Sequence, residues 1–266
     1  MSPPNDLQEL EEDSTDELHE HNRHSPPDLS PYFLTLADWD RDYSPRVDWK
    51  QFFAAAPQGL PHADRRIEID VGSGRGLFLV TAGGKRPDTN FLGIEIDYTE
   101  ARRAARRLKK REYRHVRVLG GSVFDLFTTR IPPHSVDAVH VYFPDPWWKR
   151  RHRRRRVFND QFVNLCSRVL KPQGLLHSWS DVEEYFGVIS ALMDHHADFI
   201  TLPRPTAREP QHDLDYQTSF ERKKRKAGCE IYRGAWQRRS GAEGIAQHDR
   251  PIEGEVLLPR SSSEFC

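Results

Sequence analysis

Residues Ile67–Val71 form a short apolar run that ends in Gly72-Ser73-Gly74-Arg75-Gly76, and an apolar stretch follows from Leu77 to about Gly84. A strand that turns through glycines into a helix constrains the fold more than any other feature here. Glycine accepts the left-handed backbone such a turn needs and lets a ligand come close to the main chain. The unit belongs to parallel sheets, where a helix must carry the chain back before the next strand begins.

The rest of the chain repeats the alternation. Phe91–Ile94 predicts a second strand, ending in Glu95-Ile96-Asp97, and Thr99 is placed to cap a basic helix through about Arg111. Val116–Leu119 and Val136–Tyr142 predict strands three and four. Phe158, Phe162, Leu165 and Val169 recur at helical spacing, and Lys171-Pro172-Gln173-Gly174 ends that helix. Leu175–Ser178 predicts a fifth strand and Val182–His195 a further helix. From about Thr218 to Trp236 the pattern predicts a pair of strands. The expected architecture is a doubly wound α/β sheet, mostly parallel, with ligands outside the carboxyl ends of its strands.

A length of 266 residues leaves room for one large domain, expected over 31–238. The flanks 1–30 and 239–266 are polar, charged and without periodicity, and are expected to be disordered. Net charge is zero but unevenly placed. Residues 1–28 hold nine acids against one base, a net of −8, which leaves +8 for the remainder. Such a tail solubilises; alternatively it covers the basic face and competes with nucleic acid. No apolar stretch approaches the roughly 20 residues that span a bilayer, so no membrane partner is expected. The N-terminus lacks the apolar core of a secretory signal. Cys166, Cys229 and Cys266 fit neither a zinc spacing nor a disulfide framework, so a cytoplasmic protein without a metal is expected, as monomer or homodimer.

Three features mark the cofactor end. The glycine turn (Gly72, Gly74) provides close backbone approach. Glu95 follows about twenty residues on, where an acid commonly accepts ribose hydroxyls. Glu68 lies within the first strand, where a buried carboxylate needs a partner. The third glycine comes one residue too early for the dinucleotide fingerprint, and acids surround the loop. Both points favour the sulfonium and amino groups of S-adenosylmethionine over a pyrophosphate.

The second candidate site is Val141-Tyr142-Phe143-Pro144-Asp145-Pro146-Trp147-Trp148-Lys149, followed by six arginines and His152 in 150–156. The two prolines restrict the backbone around Asp145. Two indoles and a basic cluster next to a fixed acid fit a site that grips a base within RNA. Filling the core is the alternative for each indole, and a solvated face is the alternative for the arginine run. A second basic run, Arg222–Lys226, contacts RNA or solvates a loop. Asp181 is a ligand contact or the N-cap of the helix from Val182. Cys166 reads as a buried filler, and His195 and His196 as complements to a helix dipole.

These residues resemble the bacterial-type tRNA (guanine-N7-)-methyltransferase family. The resemblance runs from about 30 to 236: Ile67-Glu68-Ile69 with the glycine turn, Phe91–Glu95, Phe143–Trp147 with Lys149 and Arg151-His152, Ser180-Asp181, and Thr218-Ser219-Phe220-Glu221. It implies a class I methyltransferase (Rossmann-like) sheet of seven strands with one antiparallel strand near the C-terminus. It implies methyl transfer from S-adenosylmethionine to N7 of guanine at position 46 in the tRNA variable loop. Glu68, Glu95 and Ser122 would line the donor site, Asp145 would stand between donor and base, and Lys149, Asp181, Thr218, Ser219, Phe220 and Glu221 would contact the substrate. Two residues depart from the family pattern: Ser122 replaces Asp or Asn, and Asp70 stands where many members have Gly. Methylation of another RNA base, and RNA binding without catalysis, are the rival readings.

Overall fold

The computed structural model describes residues 28–54, 65–205 and 218–241. The expected tails lie almost wholly outside these residues, as does Cys266. In chain order the elements are β1 (Phe33–Thr35), α1 (Leu36–Tyr43), α2 (Trp49–Phe52), β2 (Arg66–Val71), α3 (Leu77–Lys85), β3 (Thr89–Glu95), α4 (Tyr98–Lys110), β4 (Val116–Gly120), α5 (Val123–Asp125), β5 (Val136–Tyr142), α6 (Asp160–Val169), β6 (Leu170–Ser180), α7 (Glu183–Asp194), β7 (Phe199–Thr201), α8 (Ser219–Lys226) and β8 (Tyr232–Arg238).

One sheet runs through the described residues in the order β1-β4-β3-β2-β5-β6-β8-β7. All pairs from β1 to β6 are parallel, and β8 is antiparallel to both β6 and β7. From β2 the chain steps outward through β3 and β4, then returns to place β5 on the other side of β2. That reversal opens a crevice beyond the carboxyl ends of β2 and β5.

Both faces are covered. Ile69, Leu92, Val139, Leu176 and Trp236 belong to one cluster with Trp39 of α1, Phe162 of α6 and Tyr185 of α7. On the other face Phe91, Val116 and Val118 pack with Phe78 and Leu79 of α3 and with Ala101, Ala104 and Ala105 of α4. Burial of each large apolar side chain contributes about 1.5–3 kcal/mol. The alanines let α4 come close enough that a Cβ on Gly76 would lie 2.7 Å from that of Ala104.

Three expectations need correction. The sheet has eight described strands rather than seven, because Phe33–Thr35 adds a parallel strand beside β4. Asp97, not Thr99, caps α4: its carboxylate accepts from the amides of Thr99 and Glu100. Thr218–Glu221 is no strand. Thr218 caps α8 by accepting from the Glu221 amide at 2.9 Å, so the segment opens a helix and β8 alone is extended. Among the described residues no helix is long and apolar enough to cross a membrane.

Candidate active site

The glycine turn lies at the carboxyl end of β2, in the crevice. Gly72, Gly74 and Gly76 all take positive φ, at 75°, 50° and 74°. A Cβ on Gly72 or Gly74 would meet nothing within 4 Å, so the main chain there borders open space. Glu95 ties the turn to β3. One carboxylate oxygen accepts from the Gly74 amide at 2.8 Å and the other from the Asp97 amide at 2.9 Å. Each oxygen keeps a lone pair for a further donor such as a ribose hydroxyl. Ser122 sits half-buried at the start of α5, its hydroxyl unused as a cap.

Glu68 and Asp70 share one face of β2, since strand side chains alternate. Glu68 is 2% exposed and committed to protein partners. Arg86 donates to Oε1 at 2.6 Å, and His140 Nε2 lies 2.8 Å from Oε2. Burial alone would raise this carboxyl; the His140 bond and the His140 and Arg86 charges outweigh it and hold it at about 2. His140 continues the chain through Nδ1 to the Tyr142 hydroxyl at 3.0 Å. An ionised Glu68 only accepts, so Nε2 carries a proton. On the neighbouring β6, His177 stacks on His140 at 5.2 Å, and burial followed by the His140 charge brings it down to about 3.

Asp70 is as deeply buried, at 3% exposure, yet among the described residues its side chain takes part in no hydrogen bond or ion pair. Burial, then the charge of Glu95, pushes its carboxyl up to about 8. A buried acid without a donor, beside open space and a second acid, fits a cationic ligand. The positive groups of S-adenosylmethionine meet that requirement, and Glu95 with the glycine turn meets the requirement of its ribose.

Beyond β5 the chain enters the Asp145 loop. Phe143 and Trp147 bracket it at φ 52° and 43°, a region that bulky side chains rarely occupy and that costs roughly 1–3 kcal/mol per residue. The Phe143 amide donates to the Trp179 carbonyl at 2.8 Å, and Arg156 Nε donates to the Pro146 carbonyl at 2.7 Å. Between these anchors Asp145 is exposed and makes no hydrogen bond or ion pair among the described residues. Trp147 is half-buried, edge-on to His152 with Arg155 over its ring at 5.1 Å, while Trp148 is 62% exposed. Neither indole belongs to the core. Lys149 precedes a tight helical turn, Arg150–Arg155, that fans the arginines into solvent.

The remaining expected contacts fall into two groups. Phe220 of α8 is 57% exposed and stacks on Phe143 at 5.9 Å, joining the helix to the Asp145 loop. Glu221 is buried, with an ion pair to Arg233 at 3.1 Å, and Arg233 lies over Trp179. Asp181 does not cap α7, which starts after Val182 without a side-chain cap; it pairs with Lys224 of α8 at 2.7 Å. Thr218, Asp181 and Glu221 therefore seat α8, and Phe220 is an exposed side chain at its start; the Ser219 side chain lies outside the described residues. Sequence reading missed Arg86, His140 and Arg233. The Thr-x-x-Glu spacing of Thr218 and Glu221 was a readable helix-start signal.

A strand, a glycine turn open to a crevice, an acid on the next strand and an unpartnered acid below define a class I S-adenosylmethionine-dependent methyltransferase. A family model described as "Putative methyltransferase" matches residues 64–234. A tRNA (guanine-N(7)-)-methyltransferase of Rhodopirellula baltica is 46% identical over 183 residues, 66% of this chain and 68% of the relative. The enzymes of the same name from Nitrosococcus oceani and Alcanivorax borkumensis are 33% and 31% identical over 65% and 71% of this chain, and 70% and 80% of their own. The chain belongs to the tRNA (guanine-N(7)-)-methyltransferase family. TrmN of Thermus thermophilus aligns at a TM-score of 0.48 with 11% identity over 66% of this chain and 45% of its own, a likeness too loose to carry any argument.

Proposed function

We propose that this chain methylates N7 of guanine at position 46 in the variable loop of tRNA. Family membership supports the substrate. The observation that carries the chemistry is the Asp145 carboxylate, held on a strained, twice-anchored loop and left without a partner among the described residues. Strain and an unmet hydrogen-bonding group on one loop mark a site built for a ligand.

S-adenosylmethionine supplies an electrophilic methyl group when bound. Guanine N7 has a lone pair and no proton to lose, so no general base is needed. Asp145 accepts from the N1–H or the N2 amine of the base, which orients N7 and offsets the positive charge that grows on the ring. Asp70, in place of Glu68, is the acid that meets the donor. Gly72 and Gly74 would give it room, Glu95 would accept from its ribose, and Ser122 would serve its adenine. Phe220 offers an exposed ring for stacking, and Lys149 with the arginine turn binds phosphates. A tRNA substrate and the widely separated cysteines support a cytoplasmic location.

The test uses labelled donor and unmodified tRNA, followed by digestion and mass spectrometry. Label in 7-methylguanosine at position 46 is expected. Label on a different base, or none from a protein that binds the donor, would defeat the assignment.

A further inference from the structure

We propose that Asp70 holds a proton in the donor-free protein and gives it up to solvent when the cationic methyl donor enters, so that donor binding is a proton exchange. This rests on the reading of Asp70 as the donor acid.

The groups around Asp70 leave it no other counter-charge among the described residues. On its own strand Glu68 stands two residues away and has taken Arg86 and His140 for itself. From β5, His140 pairs in register with Asp70, but its two nitrogens face Glu68 and Tyr142. The Tyr142 hydroxyl also feels Asp70, and burial keeps it well above its usual value and neutral. From β3, Gly93 pairs in register and brings no charge, while Glu95 adds a second negative charge. In the glycine turn Arg75 pairs with Glu100 at 3.0 Å. α3 contributes apolar side chains from Leu77 to Val80. An acid with no donor, a like charge nearby and almost no water-exposed surface is neutral until a cation arrives.

The exchange follows from charge balance. The Asp70 O–H bond breaks, its proton passes to buffer, and the carboxylate left behind faces a positive group of the donor. With the free acid at about 8, nearly one proton leaves per site at pH 7. Affinity for the donor then rises up to about tenfold per pH unit below 8 and levels off above it.

Calorimetry of S-adenosylmethionine binding at pH 7, in buffers of different ionisation enthalpy, counts the protons directly. Release of about one proton is expected, and it should vanish in Asp70→Asn. S-adenosylhomocysteine separates the two positive groups. Release with both ligands identifies the amino group as the partner, and release with the donor alone identifies the sulfonium; either supports the exchange. Tight donor binding without proton release, or release that persists in Asp70→Asn, overturns it. Neither result touches the tRNA assignment, because no RNA is present.

Discussion

Glu68 and Asp70 stand two residues apart on the same face of β2, and both are removed from water. Below, an arginine and a histidine close around Glu68 and hold it ionised, with its carboxyl at about 2. Above, at the mouth of the crevice, nothing among the described residues closes around Asp70, and its carboxyl rises to about 8. The lower acid is a strut, and the upper one is the acid proposed to receive the donor. Depth does not separate them; the supply of donors does. Asp145 extends the lesson to the surface, since it too stands on anchored backbone without a described partner.

The largest effect should come from the outermost of these acids. Asp145→Ala is expected to lower kcat about 10²–10³-fold while donor affinity in calorimetry stays unchanged. Loss of donor binding instead would move Asp145 into the structural group. Next, Glu68→Gln should cost about 2–3 kcal/mol in urea unfolding, because it strips a charged acceptor from Arg86 and His140. Glu68 is depressed in the folded state, so its contribution is complete above about 4.5 and disappears as pH falls toward 2. Wild-type and variant stabilities should converge in that window. A variant as stable as wild type at pH 7 would erase the contrast on which the comparison stands.

Phe220→Ala should raise KM for tRNA about five- to tenfold, roughly 1 kcal/mol of stacking, with little change in kcat. Alanine at Arg150, Arg151, Arg153 and Arg154 should flatten the salt dependence of RNA affinity by about one in log–log slope for each phosphate left unpaired. The last test is Asp70→Asn in the donor-free protein. An acid whose folded value is raised destabilises the fold progressively as pH climbs from about 4 to 8. Removing it should lift Tm at pH 8, the opposite sign to Glu68→Gln.

Much of the frame was legible because its signals are local. Each apolar run before a glycine or acid became a strand, and Val136–Tyr142 matches residue for residue. The Asp145 loop was readable because proline and tryptophan announce themselves over a few residues. Misreadings arose where the deciding partner is remote. Nothing near Glu68 tells it from Asp70; Arg86 lies 18 residues away and His140 72. Strand β1 is three residues long and exists by pairing with β4, more than eighty positions later. Thr218–Glu221 alternates like a strand, yet the Thr218 hydroxyl prefers the amide three residues on and starts a helix.

The Asp145 loop is moored by main-chain atoms: the Phe143 amide on one side and the Pro146 carbonyl on the other. Side chains at 145, 147 and 148 play no part in those moorings. Evolution, or an engineer, can therefore rewrite the tip like interchangeable type in a fixed frame, leaving both moorings in place.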